Sequence, residues 1–558
     1  MNIGAFVCSC GGHCGVDAEE VRDGVRGVDV VASSSLLCQD GFAGVEHVIE
    51  EYDLDQIVAS ACDDECQRRL QSLAETKGLH PEATAFVDHR ESAGWVHDEE
   101  RATDKAARLF NRTTAGLEAE AISRTVSEDA GDRVAVVGRP EFAATLAAET
   151  DADVTLVANG ADFDAYEGSL EDVTLRRGRV RDVDGSYGDF ELRVRARVTD
   201  DCIGCMECVE QGPDGAVTSV PVDVAPDAPA GEWVTCCPTD AIELDGVEAT
   251  LAADQVVHPE ATDVPRGGRV GFHTATGPDA LASVQRHLGG VEKPQFLDIE
   301  MDVCASGDSG QEGCTVCTDA CPHDAVARPT ADSVAFDPVA CQNCGACTSG
   351  CPTGAVELRE PSNRRLAREV EALLDPSDDE GGLFDVFRRD SGIETPVVAF
   401  VCSERAERTL RQYGRRAAGG ADVAYPPVLP VRVNCTDTVG EGHVLHALAA
   451  GADGVAIVGC GGDCLHSGPD PKTELVRRLN VATSDLGLGD RVEFFAPAPD
   501  DPGAFEEALS QFYVELDETP VPPGGHVAEG GGRADKRNPE FNTHDWVLES
   551  VRAVLEHV

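Results

Sequence analysis

The sequence predicts a multidomain α/β protein, with parallel-sheet α/β domains at the amino and carboxyl ends and small α+β cysteine modules between them. Three observations carry this. At 558 residues the chain is too long for one hydrophobic core. Short apolar runs alternate with amphipathic helical patterns at both ends, as strands covered by helices do. The 23 cysteines fall into spaced groups, which in a chain expected to be cytosolic reads as metal ligation rather than disulfides.

The charge balance narrows the function. Acidic residues number 102 against 45 basic, a net charge of −57, with forty arginines and only five lysines. Such a surface disfavours nucleic acid and anionic membranes, which bind through basic patches. It resembles proteins of salt-accumulating halophilic archaea, where molar salt screens self-repulsion. No segment approaches the roughly 18 apolar residues of a membrane span, and Met1–Cys8 reads as a strand rather than a signal peptide. The expectation is a cytoplasmic protein.

Residues 1–130 form the first α/β domain. Strands are expected at Ile3–Val7, Val28–Ala32, Gln56–Ala59 and Thr84–Val87, with helices at Gly44–Tyr52, Glu65–Lys77 and about Asp98–Val126. Cys8, Cys38 and Cys62 fall at or just beyond the carboxyl ends of strands or apolar segments, the rim where open α/β sheets bind ligands. Cys10, Cys14 and Cys66 are close in sequence. With Cys38, the segments Val7-Cys8-Ser9-Cys10-Gly11-Gly12, Ala59-Ser60-Ala61-Cys62 and His89–His97 resemble the amino-terminal domain of the A-type subunit of heterodisulfide reductase. The resemblance implies an iron–sulfur cluster, assigned to Cys8, Cys10, Cys38 and Cys62. Ala93 stands where that family has a cysteine, so Cys10, Cys14 or Cys66 must substitute for it or the cluster is lost.

Residues 131–200 begin as a dinucleotide domain, with a strand at Arg133–Val137 and another at Asp153–Ala158. The expected Gly-x-Gly-x-x-Gly turn reads Gly138-Arg139-Pro140-Glu141-Phe142-Ala143. Pro140 replaces the glycine whose bare backbone approaches a pyrophosphate, and it removes an N–H. The A-type family binds flavin here. The degeneracy at Gly138, Pro140 and Ala143 predicts a remnant without FAD.

Residues 201–247 carry Cys202-x2-Cys205-x2-Cys208 and, later, Cys236-Cys237-Pro238. In ferredoxin-type motifs the cysteine before proline ligates the cluster of the other triplet. One 4Fe-4S cluster is therefore expected on Cys202, Cys205, Cys208 and Cys237, with Cys236 a rival for the last place. The segment resembles the ferredoxin insert of the same family. Residues 248–300, with a strand at Arg269–His273 and a helix at Asp279–Leu288, are expected to complete the α/β remnant.

Residues 301–360 hold two ferredoxin-like runs, Cys304-x9-Cys314-x2-Cys317-x3-Cys321-Pro322 and Cys341-x2-Cys344-x2-Cys347-x3-Cys351-Pro352. The same exchange assigns one 4Fe-4S cluster to Cys341, Cys344, Cys347 and Cys321, and another to Cys304, Cys314, Cys317 and Cys351. A structural zinc ribbon is the alternative for a Cys-x2-Cys pair. Residues 361–394 comprise a helix at Arg364–Leu374 and a linker at Asp375–Gly382.

Residues 395–516 are a second α/β domain. Strands are expected at Val397–Val401, Val428–Val433, Gly454–Val458 and Arg491–Phe495, and helices at Glu404–Tyr413, Gly440–Ala450 and Lys472–Leu486. Cys402, Cys435, Cys460 and Cys464 would meet at one rim of a parallel sheet, a donor set suited to iron–sulfur or zinc. The segments Ala399–Cys402, Val433–Cys435, Gly451–Val455 and Gly459–His466 resemble the delta subunit of methyl-viologen-reducing hydrogenase, which implies a 2Fe-2S cluster on those four cysteines. His466 is then structural. Residues 517–558 read as a Pro/Gly-rich flexible tail (Pro520–Arg537) and a terminal helix with Val547, Val551, Val554, Leu555 and Val558 on one face.

The resemblance implies a fusion of a flavin-depleted A-type heterodisulfide reductase polypeptide with a hydrogenase delta polypeptide. It would be an electron-transfer subunit with three 4Fe-4S clusters, a fourth if the amino-terminal centre is intact, and one 2Fe-2S cluster. Other oxidoreductase subunits or a donor dehydrogenase would be its partners. No catalytic substrate constellation stands out. A redox sensor or assembly scaffold stapled by clusters is the rival.

Overall fold

The structure is a computed structural model. It describes residues 2–39, 41–60, 63–118, 124–265, 267–307, 313–374, 392–460, 464, 472–497, 502–519 and 543–556. Cys62, His466, Val558, the predicted linker at 375–382 and the predicted tail at 520–537 lie outside the described residues.

The amino-terminal domain runs β1 (Ile3–Cys8), α1 (Ala18–Gly24), β2 (Val30–Ser34), α2 (Phe42–Tyr52), β3 (Gln56–Ser60), α3 (Asp64–Thr76), β4 (Thr84–Val87) and α4 (Glu99–Glu118). The strands form one parallel sheet in the order β2-β1-β3-β4. All of β1 and β3 is buried, which is why they read as unbroken apolar runs rather than alternating ones. Asp17 caps α1 through the Glu19 and Glu20 N–H groups, and Asp63 caps α3 through Cys66 N–H at 2.8 Å. The predicted long helix to Val126 is corrected: Thr125–Asp129 is a strand, β5.

The middle of the chain folds as one unit. β6 (Arg133–Val137), α5 (Pro140–Glu149), β7 (Asp153–Val157) and β8 (Val173–Arg176) are followed by a long hairpin of β9 (Arg179–Ser186) and β10 (Asp189–Val198). The cysteine insert adds α6 (Glu207–Gln211), β11 (Val217–Ser219) and β12 (Val222–Val224). The chain returns through β13 (Ile242–Ala253), β14 (Gln255–Val257), β15 (Phe272–His273), α7 (Pro278–Arg286) and β16 (Gly290–Pro294). β15-β14-β6-β7-β8 make a five-stranded parallel sheet, so the segments predicted separately at 131–200 and 248–300 share one sheet. The predicted strand at Arg269–His273 shrinks to two residues. β9, β10 and β13 form an antiparallel sheet unforeseen in the sequence. Phe190, Leu192 and Val194 alternate inward from it onto Val137, Val157 and Val256. β10 and β13 pair down to Val198↔Ile242 and so hold both ends of the cysteine insert. β16 pairs antiparallel with β5.

The next module contains β17 (Leu297–Ile299), α8 (Val316–Ala320), β18 (Val326–Thr330), β19 (Ser333–Phe336), α9 (Ala346–Ser349) and β20 (Val356–Leu358), with β17 on β20 and β18 on β19. α10 (Asn363–Leu374) follows. It matches the helix expected at Arg364–Leu374 and is packed in the core, with Leu366, Ala367, Val370 and Leu373 buried and Arg108 of α4 bonded to the Leu373 carbonyl at 2.6 Å.

The carboxyl-terminal domain has β21 (Val397–Cys402), α11 (Ala406–Ala418), β22 (Leu429–Val433), α12 (Glu441–Ala449), β23 (Gly454–Val458), α13 (Lys472–Asp485), β24 (Val492–Phe495), α14 (Pro502–Glu518) and α15 (Thr543–Glu556). The sheet is parallel in the order β22-β21-β23-β24. α14 had no sequence expectation. α15 docks on this chain by Trp546, Ser550 and Val554, with Trp546 against His443 and His446 of α12, while Leu555 of the predicted face is exposed. The two end sheets share one topology. Their side chains join a single core, from Ile3 and Phe110 through α10 to Phe400 and Val455.

Candidate metal centres

The insert after β10 wraps a small cavity lined by Cys202, Cys205, Cys208 and Cys237, with Val198, Val222 and Ile242 behind them. The cysteine loop owes its shape to two left-handed residues, Gly204 (φ +66°) before the second cysteine and Met206 (φ +67°) after it. Asn343 and Gly345 repeat this at Cys344, with φ of +58° and +77°. The Cys-Pro turns also share a mark: Asp240, Asp324 and Gly354, each three residues past its cysteine, are all left-handed. Cys237 Sγ accepts from Ala241 N–H at 3.3 Å and lies 3.6 Å from Thr239 Oγ1. Cys236 is near Cys208 and Cys205. Cys237 lines the cavity and Cys236 does not.

The following module places its eight cysteines in two groups. A small cavity is lined by Cys304, Cys314, Cys317 and Cys351, closed by Met301, Val334, Phe336 and Val356. Cys304 Sγ accepts from Ser306 N–H at 3.4 Å. The loop at Cys314 lacks the left-handed residue after the cysteine, Thr315 having φ −116°, in keeping with its irregular spacing. Cys341, Cys344 and Cys347 gather with Cys321. Burial pushes the Cys344 thiol up to about 12, with Asp437, Cys321 and Cys341 adding to it. Cys347 is raised by burial and by Cys344, Cys341 and Cys321. Crowded buried thiols cannot all ionise unless a cation joins them, and each set has the donors for one.

At the carboxyl rim of the last sheet, Cys402 ends β21, and Cys435 and Cys460 each stand two residues past β22 and β23. Cys402 Sγ is 3.6 Å from Cys460 Sγ, and Cys435 Sγ is 3.8 Å from Cys464 Sγ. A hydrogen bond from Cys460, with N–H groups of residues 404–406, brings Cys402 down to about 6 despite burial. No three of these sulfurs lie within 4.8 Å of one another among the described residues. Cys460 also hydrogen-bonds Cys464, so the four thiols form one chain, Cys402–Cys460–Cys464–Cys435. The short turn after Cys435 joins this rim to the neighbouring module: Thr438 Oγ1 donates to the Cys344 carbonyl at 3.2 Å, and Ser349 Oγ to the Asp437 carbonyl at 2.6 Å.

Of the expected amino-terminal set, Cys8, Cys10 and Cys38 are described and Cys62 lies outside the described residues. Cys8 Sγ accepts from the N–H groups of Cys10 and Leu37 at 3.3 and 3.4 Å, and Cys38 lies near Cys66 and Cys8. Cys10 instead brings its sulfur beside Cys14 and His89. No cysteine-like spacing marks His89 in the sequence, so only the fold brings it into the group. In the dinucleotide-like sheet, Pro140 occupies the first turn of α5 and Gly138 turns at φ +66°. Arg139 pairs with Glu260 there at 2.9 Å.

Residues 397–519 match the family model "Methyl-viologen-reducing hydrogenase, delta subunit". The N-terminal part of the chain is similar to A-type subunits of heterodisulfide reductase, in the order the fusion implies. One is the second A-type iron–sulfur subunit of the CoB–CoM heterodisulfide reductase of Methanopyrus kandleri, 26% identical over 38% of this chain and 38% of the relative. Its counterpart in Methanocaldococcus jannaschii is 36% identical over 19% of this chain and 18% of the relative. The A-type subunit of a ferredoxin:CoB-CoM heterodisulfide reductase of Methanosarcina mazei is 27% identical over 38% and 32%. The matches thus span less than two-fifths of each relative's length. Among the described residues, no helix is long and apolar enough to cross a membrane.

Proposed function

We propose that this chain is an iron–sulfur electron-transfer subunit of a cytoplasmic, heterodisulfide reductase/hydrogenase-like oxidoreductase complex, relaying electrons between a partner dehydrogenase and an acceptor subunit. The carrying observation is that two separate cavities are each lined by one four-cysteine set assigned by the exchange rule. Three 4Fe-4S groups would be held by Cys202, Cys205, Cys208 and Cys237, by Cys304, Cys314, Cys317 and Cys351, and by Cys341, Cys344, Cys347 and Cys321. A 2Fe-2S group would be held by Cys402, Cys435, Cys460 and Cys464. Such groups supply reversible one-electron storage, tuned by N–H···S bonds and burial. The chain's own part is to bury the sulfurs, aim N–H groups at them and fix one module against the next. The contacts of Thr438 with Cys344 and of Asp437 with Ser349 support the carboxyl-terminal domain as the port for an external donor, with the two-set module behind it. Pro140 and the degenerate turn support a chain without FAD.

Elemental analysis of anaerobically purified, reconstituted protein tests this. The expected content is about 14 iron atoms per chain, rising to about 18 with an amino-terminal cubane. Zinc in place of iron at these sets overturns the relay. Stoichiometric FAD on acid denaturation overturns the flavin-free reading.

A further inference from the structure

Cys14 and His89 belong to none of the four cysteine sets of the proposed relay, and Cys10 was expected only in the amino-terminal set, from which its sulfur is drawn towards these two. One sulfur from each cysteine and a ring nitrogen of the histidine all lie within 4.8 Å of one another. Cys10 is 9% exposed, and Cys14 and His89 are fully buried. His89 Nε2 sits 3.0 Å from the Cys8 carbonyl oxygen and so carries the hydrogen and donates it. Nδ1 is then a lone-pair acceptor, and it is buried with no hydrogen-bond partner. An acceptor sealed from water costs about 1–3 kcal/mol when nothing meets it. A cation beside two thiols meets it directly.

The separations favour one ion. With Zn–S near 2.3 Å and Zn–N near 2.0 Å, ligands of a tetrahedral zinc stand about 3.5–3.8 Å apart. A cubane puts each protein ligand on a different iron, farther apart. Among the described residues, none of the other cysteine sets forms such a triad.

The two end domains supply an independent comparison. Both first strands end Ala-Phe-Val-Cys, at Cys8 and Cys402. Strand register then aligns Val58 with Ala456 and Thr84 with Val492. Cys66 and Cys464 each stand six residues past β3 and β23, and Cys38 and Cys435 follow β2 and β22. Counted in the same way from the strand ends, the positions of Cys10, Cys14 and His89 hold Glu404, Arg408 and Pro497 in the other domain. One domain carries all three donors and its topological twin carries none of them, so the triad serves something beyond the rim centre that both can build.

We propose that Cys10, Cys14 and His89 bind a single zinc ion, at a mononuclear site separate from the iron–sulfur sets. Two thiolates neutralise the divalent charge, which permits burial, and one tetrahedral position remains for a ligand from outside the triad. The ion would tie the loop after β1 to the turn after β4.

The test uses the full-length chain, purified anaerobically and reconstituted with iron. Elemental analysis should give about one zinc per chain beside the iron. Zinc-edge X-ray absorption on the unmutated protein should show two sulfur neighbours near 2.3 Å with nitrogen or oxygen near 2.0 Å. Cys14→Ser and His89→Gln should each lose the zinc while iron content and the iron paramagnetic signals stay unchanged. A zinc content near zero, a four-sulfur zinc shell, or loss of iron rather than zinc in either variant overturns the proposal. Because the absorption measurement needs no variant, a misfolded mutant does not rescue it. Iron absent from the other sets would refute the relay and leave the zinc site standing.

Discussion

Cys435→Ser tests the wiring most directly. Cys435 is 1% exposed and its sulfur is 3.8 Å from that of Cys464. A serine hydroxyl there is a harder and far less acidic donor than a thiol, so the set drops to three sulfurs. The fold should survive, because an unpaired buried hydroxyl costs about 1–3 kcal/mol, against a core that includes all of β21 and β23. Neither four-cysteine cavity includes Cys435, so the loss should be about 2 of about 14 irons. The assay is anaerobic reduction followed by low-temperature paramagnetic resonance, once with the native donor and once with dithionite. The cubane signals should develop fully with dithionite and stay undeveloped with the donor. If that donor reduces the variant's cubanes at the parent rate, the carboxyl-terminal domain is not the port, and the contact between Thr438 and Cys344 has no part in transfer.

Cys237→Ser should remove about 4 irons while Cys236→Ser removes none; equal losses would show that the cavity lining misidentifies the donor. With its −57 charge, the protein should unfold or shed iron in dilute buffer, where the screening length is about 30 Å against about 3 Å in molar salt; circular dichroism and iron content across a salt series would check this. Lys105, fully buried near His97 and Tyr425, has its ammonium pulled down to about 7 by burial, against the opposing charge of Asp88. The folded chain thus releases this proton before the unfolded one does, so its contribution to stability should rise from pH 7 to 9 by about 2–3 kcal/mol. Lys105→Met should flatten that gradient and stabilise the protein at pH 7 by about 1–4 kcal/mol, read from thermal melts.

By itself the sequence determined the chemistry and the local elements. Cys-x2-Cys and Cys-Pro spacing is a property of short loops, whose backbone depends on a few residues such as Gly204 and Asp240, so those four-cysteine sets were legible without a fold. The eight rim strands of the end domains were equally legible, since a parallel strand buried on both faces is an unbroken apolar run. The tertiary structure alone decided what depends on strands and loops meeting from far apart. The antiparallel sheet of β9, β10 and β13 alternates polar and apolar residues and joins segments more than forty residues apart, so it was invisible until both edges were in place. The helix at Arg364–Leu374 was legible, but its burial was not, because the face it hides is covered by α4, α12 and β22 from distant parts of the chain. The grouping of Cys10 with Cys14 and His89, and the adjacency of Thr438 to Cys344, are likewise set by packing. Spacing encodes only donors that share a loop, whereas donors on separate strand ends converge only when the sheet forms.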